Sequence, residues 1–280
     1  FLQDVAVEYE TDNLYARSGG TVIAYNAEGR MLTRNDSIPA WSTAFVDGRL
    51  VALRQRHDVF VTDDTEPGSR VTLLDIFSPD LRPEGRVETL DKGTPMRFSP
   101  EGFTMLLTEG FLSDNGESLV VKELMCDTAF YYRADGALES AYILDLGRHA
   151  TPAGAFGENA TVAWSDDFHR VDNIREGSRY LFVETMSGTP MRRSFIVLDR
   201  EDPAAGFMSV GPDGEAGMFL GGVKFTPSYI RDNQLVGYMQ ALDIVDAVAT
   251  KSITNPDLQA LATTLREDSN PVIVVATLNK

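Results

Sequence analysis

The sequence repeats a unit of two successive hairpins, each with a tight polar turn between short apolar strands. The turn of the first hairpin carries Asp, Asn, Glu or Gly, and it occurs at residues 12–13, 47–48, 115–116, 176–177 and 232–233. Such residues suit two-residue hairpin loops, many of which need a positive φ. The repetition therefore predicts antiparallel sheets that follow one another along the chain.

A second polar turn closes the unit. An apolar strand and its turn occupy residues 22–29, 130–136 and 195–201, with a looser copy at 73–80. Equivalent turns are about 35 to 70 residues apart, which brackets the ~40 to 50 residues of a propeller blade with insertions. The pattern predicts an all-β chain, namely a β-propeller of four-stranded antiparallel blades with about five blade units visible.

The end of the chain departs from this rhythm. Residues 239–248 predict a short helix, and Asn255, Pro256 and Asp257 are typical of the start of a second one. Residues 271–278 then predict a final strand. We expect a short helical insertion within the last blade.

Composition limits the possible classes of protein. The chain has 280 residues, 43% of them hydrophobic, which suits one propeller domain over residues 1–280. Its net charge of −17 predicts a surface that repels nucleic acid and anionic lipid. Cys126 is the single cysteine, so no disulfide can form within the chain. No apolar run approaches the ~18 residues of a membrane span.

Two stretches carry a resemblance to a known family. Residues 122–131, 135–136 and 141–147, with Pro152, and the terminal residues 265–274 resemble the Bacteroidetes six-bladed β-propeller family, whose members often carry a lipoprotein signal and lack an assigned activity. The resemblance is specific from about residue 100 onward. It implies a six-bladed ring, so we expect a first blade or an N-terminal segment to be missing from this chain.

The same resemblance implies a location outside the cytoplasm. The chain begins at Phe1 and not at Met, so we expect either that a targeting segment has been removed or that the chain lies within a longer protein. We expect the periplasm or the cell surface, in association with the outer membrane. Contact with the membrane would come only through an N-terminal lipid anchor.

One stretch between two predicted blades is rich in reactive side chains. In residues 164–170, Trp164 would stack on a sugar or aromatic group, while His169 and Arg170 would supply hydrogen bonds. Asp167 is a further candidate ligand-binding residue of this stretch. An ordinary connection between blades is the alternative. Asp166 has ligand chemistry too, but its spacing from Asp167 and His169 matches no established metal loop, so no metal site is predicted.

The sequence predicts no catalytic residues and no cofactor. The chain has three histidines, His57, His149 and His169, without the G-x-S-x-G elbow of a serine hydrolase. Residues around Cys126 are more suggestive of packing than of nucleophilic chemistry. We therefore lean towards a protein that is not an enzyme.

These observations favour a binding module that recognises a glycan, a peptide or a partner protein through the loops on one face. The basis is fold analogy and the lack of a catalytic motif. A hydrolase or lyase acting on polysaccharide and a scaffold for partner proteins are the alternatives. Two carboxylates, or a histidine and a carboxylate, that converge in a concave site would favour the enzyme.

One hairpin permits a detailed prediction. Residues 130–133 should form a strand, residues 135–136 its turn, and residues 138–144 the returning strand. Gly136 should have a positive φ, because a side chain would clash in that backbone conformation. Asp127 should accept backbone N–H groups where the strand begins.

Overall fold

The computed structural model describes residues 3–57, 70–88, 111–123, 127–133, 135–150, 167–188, 192–202, 204, 206–209, 218–231, 233–250, 253, 255–266 and 268–278. Within these residues, the strands form five four-stranded sheets, each made from four strands that are consecutive along the chain. The all-β prediction is confirmed. The sixth blade that the family resemblance implied is not among the described residues.

The first three sheets occupy the first half of the chain. The first comprises β1 (Asp4–Glu8), β2 (Asn13–Ser18), β3 (Thr21–Tyr25) and β4 (Met31–Asn35). The second comprises β5 (Ser42–Val46), β6 (Arg49–His57), β7 (Arg70–Phe77) and β8 (Pro83–Glu88). The third comprises β9 (Phe111–Asp114), β10 (Leu119–Lys122), β11 (Thr128–Tyr132) and β12 (Leu138–Ile143), and a short 3₁₀ turn (Gly147–His149) follows it.

The last two sheets contain the helices. The fourth comprises β13 (His169–Glu176), β14 (Tyr180–Ser187), β15 (Arg192–Asp199) and β16 (Phe207–Ser209). The fifth comprises β17 (Met218–Leu220), β18 (Val223–Arg231), β19 (Gln234–Met239) and β20 (Val272–Thr277). Two helices, α1 (Ala241–Ala249) and α2 (Pro256–Ala262), lie between β19 and β20, as the sequence predicted for the last blade. Neither described helix is long and apolar enough to cross a bilayer.

The predicted turns separate the strands as expected. Four of the five turns of the first hairpin, at residues 12–13, 47–48, 115–116 and 176–177, lie between the first and second strand of a sheet. The fifth prediction was wrong in its place within the unit: the turn at 232–233 lies between β18 and β19, the second and third strands of the fifth sheet, because the short strand β17 precedes them. Asp12 and Asp47 adopt φ values of 57° and 46°, which short Asx side chains tolerate better than most. Turn chemistry is a local property, and this explains why the sequence located these turns.

The detailed hairpin prediction is confirmed in its strands and its turn. Strands β11 and β12 pair antiparallel, and Gly136 in the turn between them has a φ of 84°. Asp135 accepts a hydrogen bond from the N–H of Ala137 at 2.9 Å. At the entry to the strand, it is the main-chain oxygen of Asp127 that accepts from the N–H of Leu144, at 2.8 Å.

The chain divides into two compact units. The first contains residues 1–174 and 187–189, and the second contains residues 175–186 and 190–280. In the first unit, β6 is buried on both faces, so its residues 50–53 are apolar without a break. Leu50 and Ala52 pack in the cluster shared with the first sheet, whereas Val51 and Leu53 pack in the cluster shared with the third.

The second unit has its own core. Its cluster combines residues of β14 and β15 with residues of β18, β19 and α1, among them Phe182, Phe195, Phe225, Leu235 and Ile244. Helix α1 begins at Ala241, two residues later than predicted, because Met239 is a buried residue at the end of β19. Helix α2 begins as predicted, since the Asn255 side chain accepts hydrogen bonds from the N–H groups of Asp257 and Leu258 at 2.8 and 3.2 Å.

Candidate functional site

The structure describes three of the four side chains that the sequence grouped as a ligand site. Trp164 and Asp166 lie outside the described residues. Asp167 is exposed in the turn before β13, His169 is the first residue of β13, and Arg170 is buried beside it. Because neighbouring residues of a strand point to opposite faces, His169 and Arg170 do not converge. The grouping stays a prediction, and of its described members Asp167 is exposed while His169 is partly buried.

His169 instead has a neighbour that the sequence did not indicate. The rings of His149 and His169 meet edge to face with their centroids 6.0 Å apart. Nε2 of His149 accepts from Arg148 Nε at 3.2 Å, so its Nδ1 carries the hydrogen that points to the main-chain oxygen of Asp167, also at 3.2 Å. Burial, and to a lesser extent the Coulombic interaction with His149, lowers the pKa of His169. These contacts tie the 3₁₀ turn to the start of β13.

The histidine pair comes from two distant segments of the chain. In the part of the chain that the structure describes, no group of three or more His, Cys, Asp and Glu side chains is arranged to hold a metal ion. His149 and His169 lie 20 residues apart, so no local motif could have indicated their contact. A short parallel bridge between Ala150 and His169 brings the two segments together.

A cavity of about 710 Å³ lies in the first unit, where the chain passes from the first sheet to the second. Its lining comes from the end of β4, from the β4–β5 connection and from β6, β7 and β8: Asn35, Ser37, Pro39, Arg54, Asp75, Phe77, Pro83, Glu84, Gly85 and Arg86. Asn35 pairs with Val22 beside the β2–β3 turn, so the cavity is at the end of the sheets that carries this turn. The cavity is within the size range of ligand pockets, about 300 to 1,000 Å³.

Two arginines share one buried carboxylate in this cavity. Strand register places Asp75 opposite both Ala52 and Arg86, and Arg54 lies two residues along from Ala52 on the same face. Arg54 Nε donates to Asp75 Oδ2 at 2.6 Å, and Arg86 Nε donates to Asp75 Oδ1 at 2.5 Å. The Asp75 side chain is 11% exposed, against 22% for Arg54 and 47% for Arg86. The carboxylate is thus the anchor, and the guanidinium groups lie towards solvent.

The surroundings fix the shape and charge of the cluster. Both contacts with Asp75 use Nε, so they do not use the two terminal nitrogens of each guanidinium. The other lining carboxylate, Glu84, forms an ion pair with Arg49 at 3.2 Å. Arg54, Asp75 and Arg86 therefore sum to one positive charge, in a chain whose net charge is −17.

The rim of the cavity is held by the Asn35 side chain. Asn35 Nδ2 donates to the main-chain oxygen of Leu81 at 2.9 Å, and its Oδ1 accepts from the N–H of Ser37 at 2.8 Å. These two bonds tie the β4–β5 connection to the β7–β8 turn. The Ser37 side chain is exposed beside the opening.

The sequence carries a signal for this site, which lies outside the hairpin turns and the stretch at residues 164–170. Arg54 follows the apolar residues 50–53, and Asp75 interrupts the apolar residues 73–77. Charged residues of opposite sign within strands that are buried on both faces must be paired, because an isolated buried charge is costly. Such an interruption would have pointed to both residues.

Comparison with solved structures supports the fold. The chain is similar to the crystal structure of a Bacteroides fragilis protein thought to be exported, with a TM-score of 0.67, 14% identity, and coverage of 100% of this chain and 78% of that chain. A streptogramin B lyase structure has a TM-score of 0.36 at 11% identity, covering 100% of this chain and 69% of the lyase. The CNH domain of AfRom2 has a TM-score of 0.40 at 8% identity, covering 85% of this chain and 76% of that chain.

Similarity at 14% identity and a TM-score of 0.67 shows the fold alone, and the β-propeller prediction is confirmed by it. The lyase and the CNH domain are too distant to add to this conclusion. No protein-family model matches the chain, and no curated protein matches its sequence.

Proposed function

We propose that this chain is a β-propeller binding module that takes a hydroxyl-rich small ligand, of the kind found in glycans, in the cavity between its first and second sheets. The observation that carries the proposal is the Arg54–Asp75–Arg86 cluster, which places oriented donors inside a cavity of about 710 Å³. Specific ligand sites combine apolar walls with a few fixed polar groups. Phe77, Pro39 and Pro83 supply the walls here.

The cavity favours binding over hydrolysis. Cleavage of a glycoside needs two carboxylates free to act as acid and as base or nucleophile. The two carboxylates in the described lining are both engaged by arginine, since Asp75 contacts Arg54 and Arg86 while Glu84 contacts Arg49. The described lining also contains no histidine. The lining residues thus lack a pair suited to proton transfer.

We also propose that the protein works outside the cytoplasm, in the periplasm or on the cell surface, as a lipoprotein of the Bacteroidetes six-bladed propeller family. The support is the resemblance over residues 122–147 and 265–274 and the similar fold of a Bacteroides fragilis protein thought to be exported. Reading the codons upstream of Phe1 tests the proposal. A lipoprotein signal is expected there, and an upstream cytosolic domain would contradict it.

The test of the cavity as the binding site uses a blocking variant. Ser37→Trp places a large ring at the opening and removes no charge, while its N–H can still donate to Asn35. Ser140→Trp is the matched control, because Ser140 is exposed on β12 in the third sheet. Saturation-transfer NMR with galactose, glucose, galacturonate and glucuronate is the readout.

The wild type and Ser140→Trp should show transfer to at least one of these sugars, and Ser37→Trp should lose it. Equal transfer in Ser37→Trp would show that the sugar binds elsewhere on the chain. No transfer from the wild type to any of the four sugars would contradict a glycan-binding cavity.

A further inference from the structure

We infer that the ligand of this cavity carries a carboxylate, and that it is a uronic-acid residue of a glycan. The inference rests on the proposed function and adds the chemical class of the ligand. Its basis is the way in which Asp75 holds the two arginines. No sequence motif and no similar structure contributes to it.

Asp75 orients both guanidinium groups before a ligand arrives. Each of its oxygens holds one Nε, at 2.6 Å for Arg54 and 2.5 Å for Arg86, so the planes of both groups are fixed. The terminal nitrogens of a guanidinium form a fork that matches the two oxygens of a carboxylate. Two such forks held in advance reduce the side-chain entropy that binding would otherwise cost.

The charge of the cluster fits one carboxylate. Two guanidinium groups and Asp75 leave one positive charge, which a carboxylate neutralises and a phosphate monoester, at about −1.5 to −2, exceeds. The net charge of −17 adds a repulsion that grows with the charge of the ligand. A singly charged anion is therefore favoured over a phosphate.

The remaining lining fits the rest of a sugar. The hydroxyl of Ser37 and the carboxylate of Glu84 can bond hydroxyl groups, and Pro39, Pro83 and Phe77 form apolar surfaces for the C–H face of a ring. Glu84 would also repel a second carboxylate close to the first. This arrangement favours a hydroxylated ring with one acid group over a peptide with clustered acidic residues.

The experiment is isothermal titration with disaccharides that contain galacturonate or glucuronate, beside their neutral galactose and glucose counterparts. Arg86→Gln removes one fork at a half-exposed position. Arg133→Gln is the matched control, since it removes one arginine from a surface ion pair with Glu139 in the third sheet. Thermal melts establish that each variant is folded.

At least one uronate disaccharide should bind the wild type and Arg133→Gln with equal affinity. It should bind Arg86→Gln at least tenfold more weakly. The neutral counterpart of that disaccharide should bind the wild type at least tenfold more weakly than the uronate does. Its affinity should not fall further in Arg86→Gln. The affinity for the uronate should fall between 50 and 500 mM salt, because added ions screen the attraction.

Several outcomes would overturn the inference, and they differ from a failure of the proposed function. If neutral disaccharides bind as tightly as uronates and Ser37→Trp blocks their binding, the proposed binding module is supported. The inference that its ligand carries a carboxylate is then wrong. Inorganic phosphate or a short polyglutamate peptide that displaces the uronate at equal concentration would indicate a general anion site. If Arg86→Gln binds uronate with unchanged affinity, the cluster of Arg54, Asp75 and Arg86 is not the binding site.

Discussion

Arg54 donates its Nε hydrogen to Asp75 at 2.6 Å, on a face of the second sheet that Leu50 and Ala52 otherwise fill with buried apolar side chains. The pair thus lies where an apolar core ends and a polar cavity begins. Burying an ion pair is costly unless its hydrogen bonds are satisfied, and Arg86 satisfies the second oxygen of Asp75. The same cluster therefore affects the stability of the first unit as well as the proposed binding.

Asp75→Asn should destabilise the protein by about 2 kcal/mol, because it leaves two guanidinium groups close together without a counter-charge. We take a value below the range for fully buried pairs because Arg86 is 47% exposed. Urea unfolding followed by circular dichroism measures the change. Glu139→Gln, which breaks only the surface pair with Arg133, should cost less than about 1 kcal/mol. Equal stability of the two variants would contradict a supporting role for Asp75.

Gly136→Val should destabilise the protein by about 1 to 3 kcal/mol through backbone strain alone. Gly136 has a φ of 84°, and beyond its chain neighbours a Cβ at this position would meet no atom within 4 Å, so overlap with the rest of the fold is not the cause. Gly136→Asn is the control, because Asn adopts left-handed conformations more readily. Thermal melts should rank wild type above Gly136→Asn and Gly136→Asn above Gly136→Val. A Val variant as stable as the wild type would refute the strain argument.

Gly237→Ala should destabilise the second unit by about 2 to 3 kcal/mol through overpacking. Its Cβ would overlap the main-chain oxygen of Thr226 and lie 2.5 Å from Cζ of Phe225, a core residue. Gly85→Ala provides the comparison, since that Cβ would lie 3.7 Å from Ile76 Cδ1, an ordinary contact. Chemical unfolding should show a clear loss for Gly237→Ala and little change for Gly85→Ala. Similar losses for the two variants would mean that the site near Phe225 yields to the extra methyl group.

The stability of the protein should fall as the pH is lowered from about 7 to 5.5, in part because of His169. Burial lowers the pKa of His169 in the folded state, so the unfolded chain takes up the proton first. The stabilisation from the neutral ring is thus present above the unfolded pKa of about 6.5 and is lost as the pH falls towards the folded pKa. Urea unfolding at several pH values measures the slope.

His169→Gln should flatten this pH dependence, since the variant has no group at this position that takes up a proton on unfolding. His149→Gln is the comparison, and it should keep most of the slope, because burial of His169 is the main cause of its lowered pKa. A slope that is the same in wild type and His169→Gln would contradict burial as the cause of the lowered pKa.

Turn chemistry made much of the fold predictable from the sequence. The acidic and glycine turns at residues 47–48 and 135–136 need only a few neighbouring residues to form, and so does the capped start of helix α2 at Asn255. Each of these features was located correctly because its cause is local in the chain. The number of blades did not follow from these local features, because ring size depends on how sheets pack against one another.

The candidate site was decided by tertiary structure. Asp75 lies 21 residues from Arg54 and 11 from Arg86 along the chain, and only the register of β6, β7 and β8 brings the three side chains together. The same is true of His149 and His169, which meet through one bridge between distant segments. The sequence by itself determined the strands, the turns and the helical insertion, because hydrogen bonding and φ preferences act over a few residues. Which charged side chains face each other depends on strand register and on the alternation of faces, and these are set only when the sheets assemble.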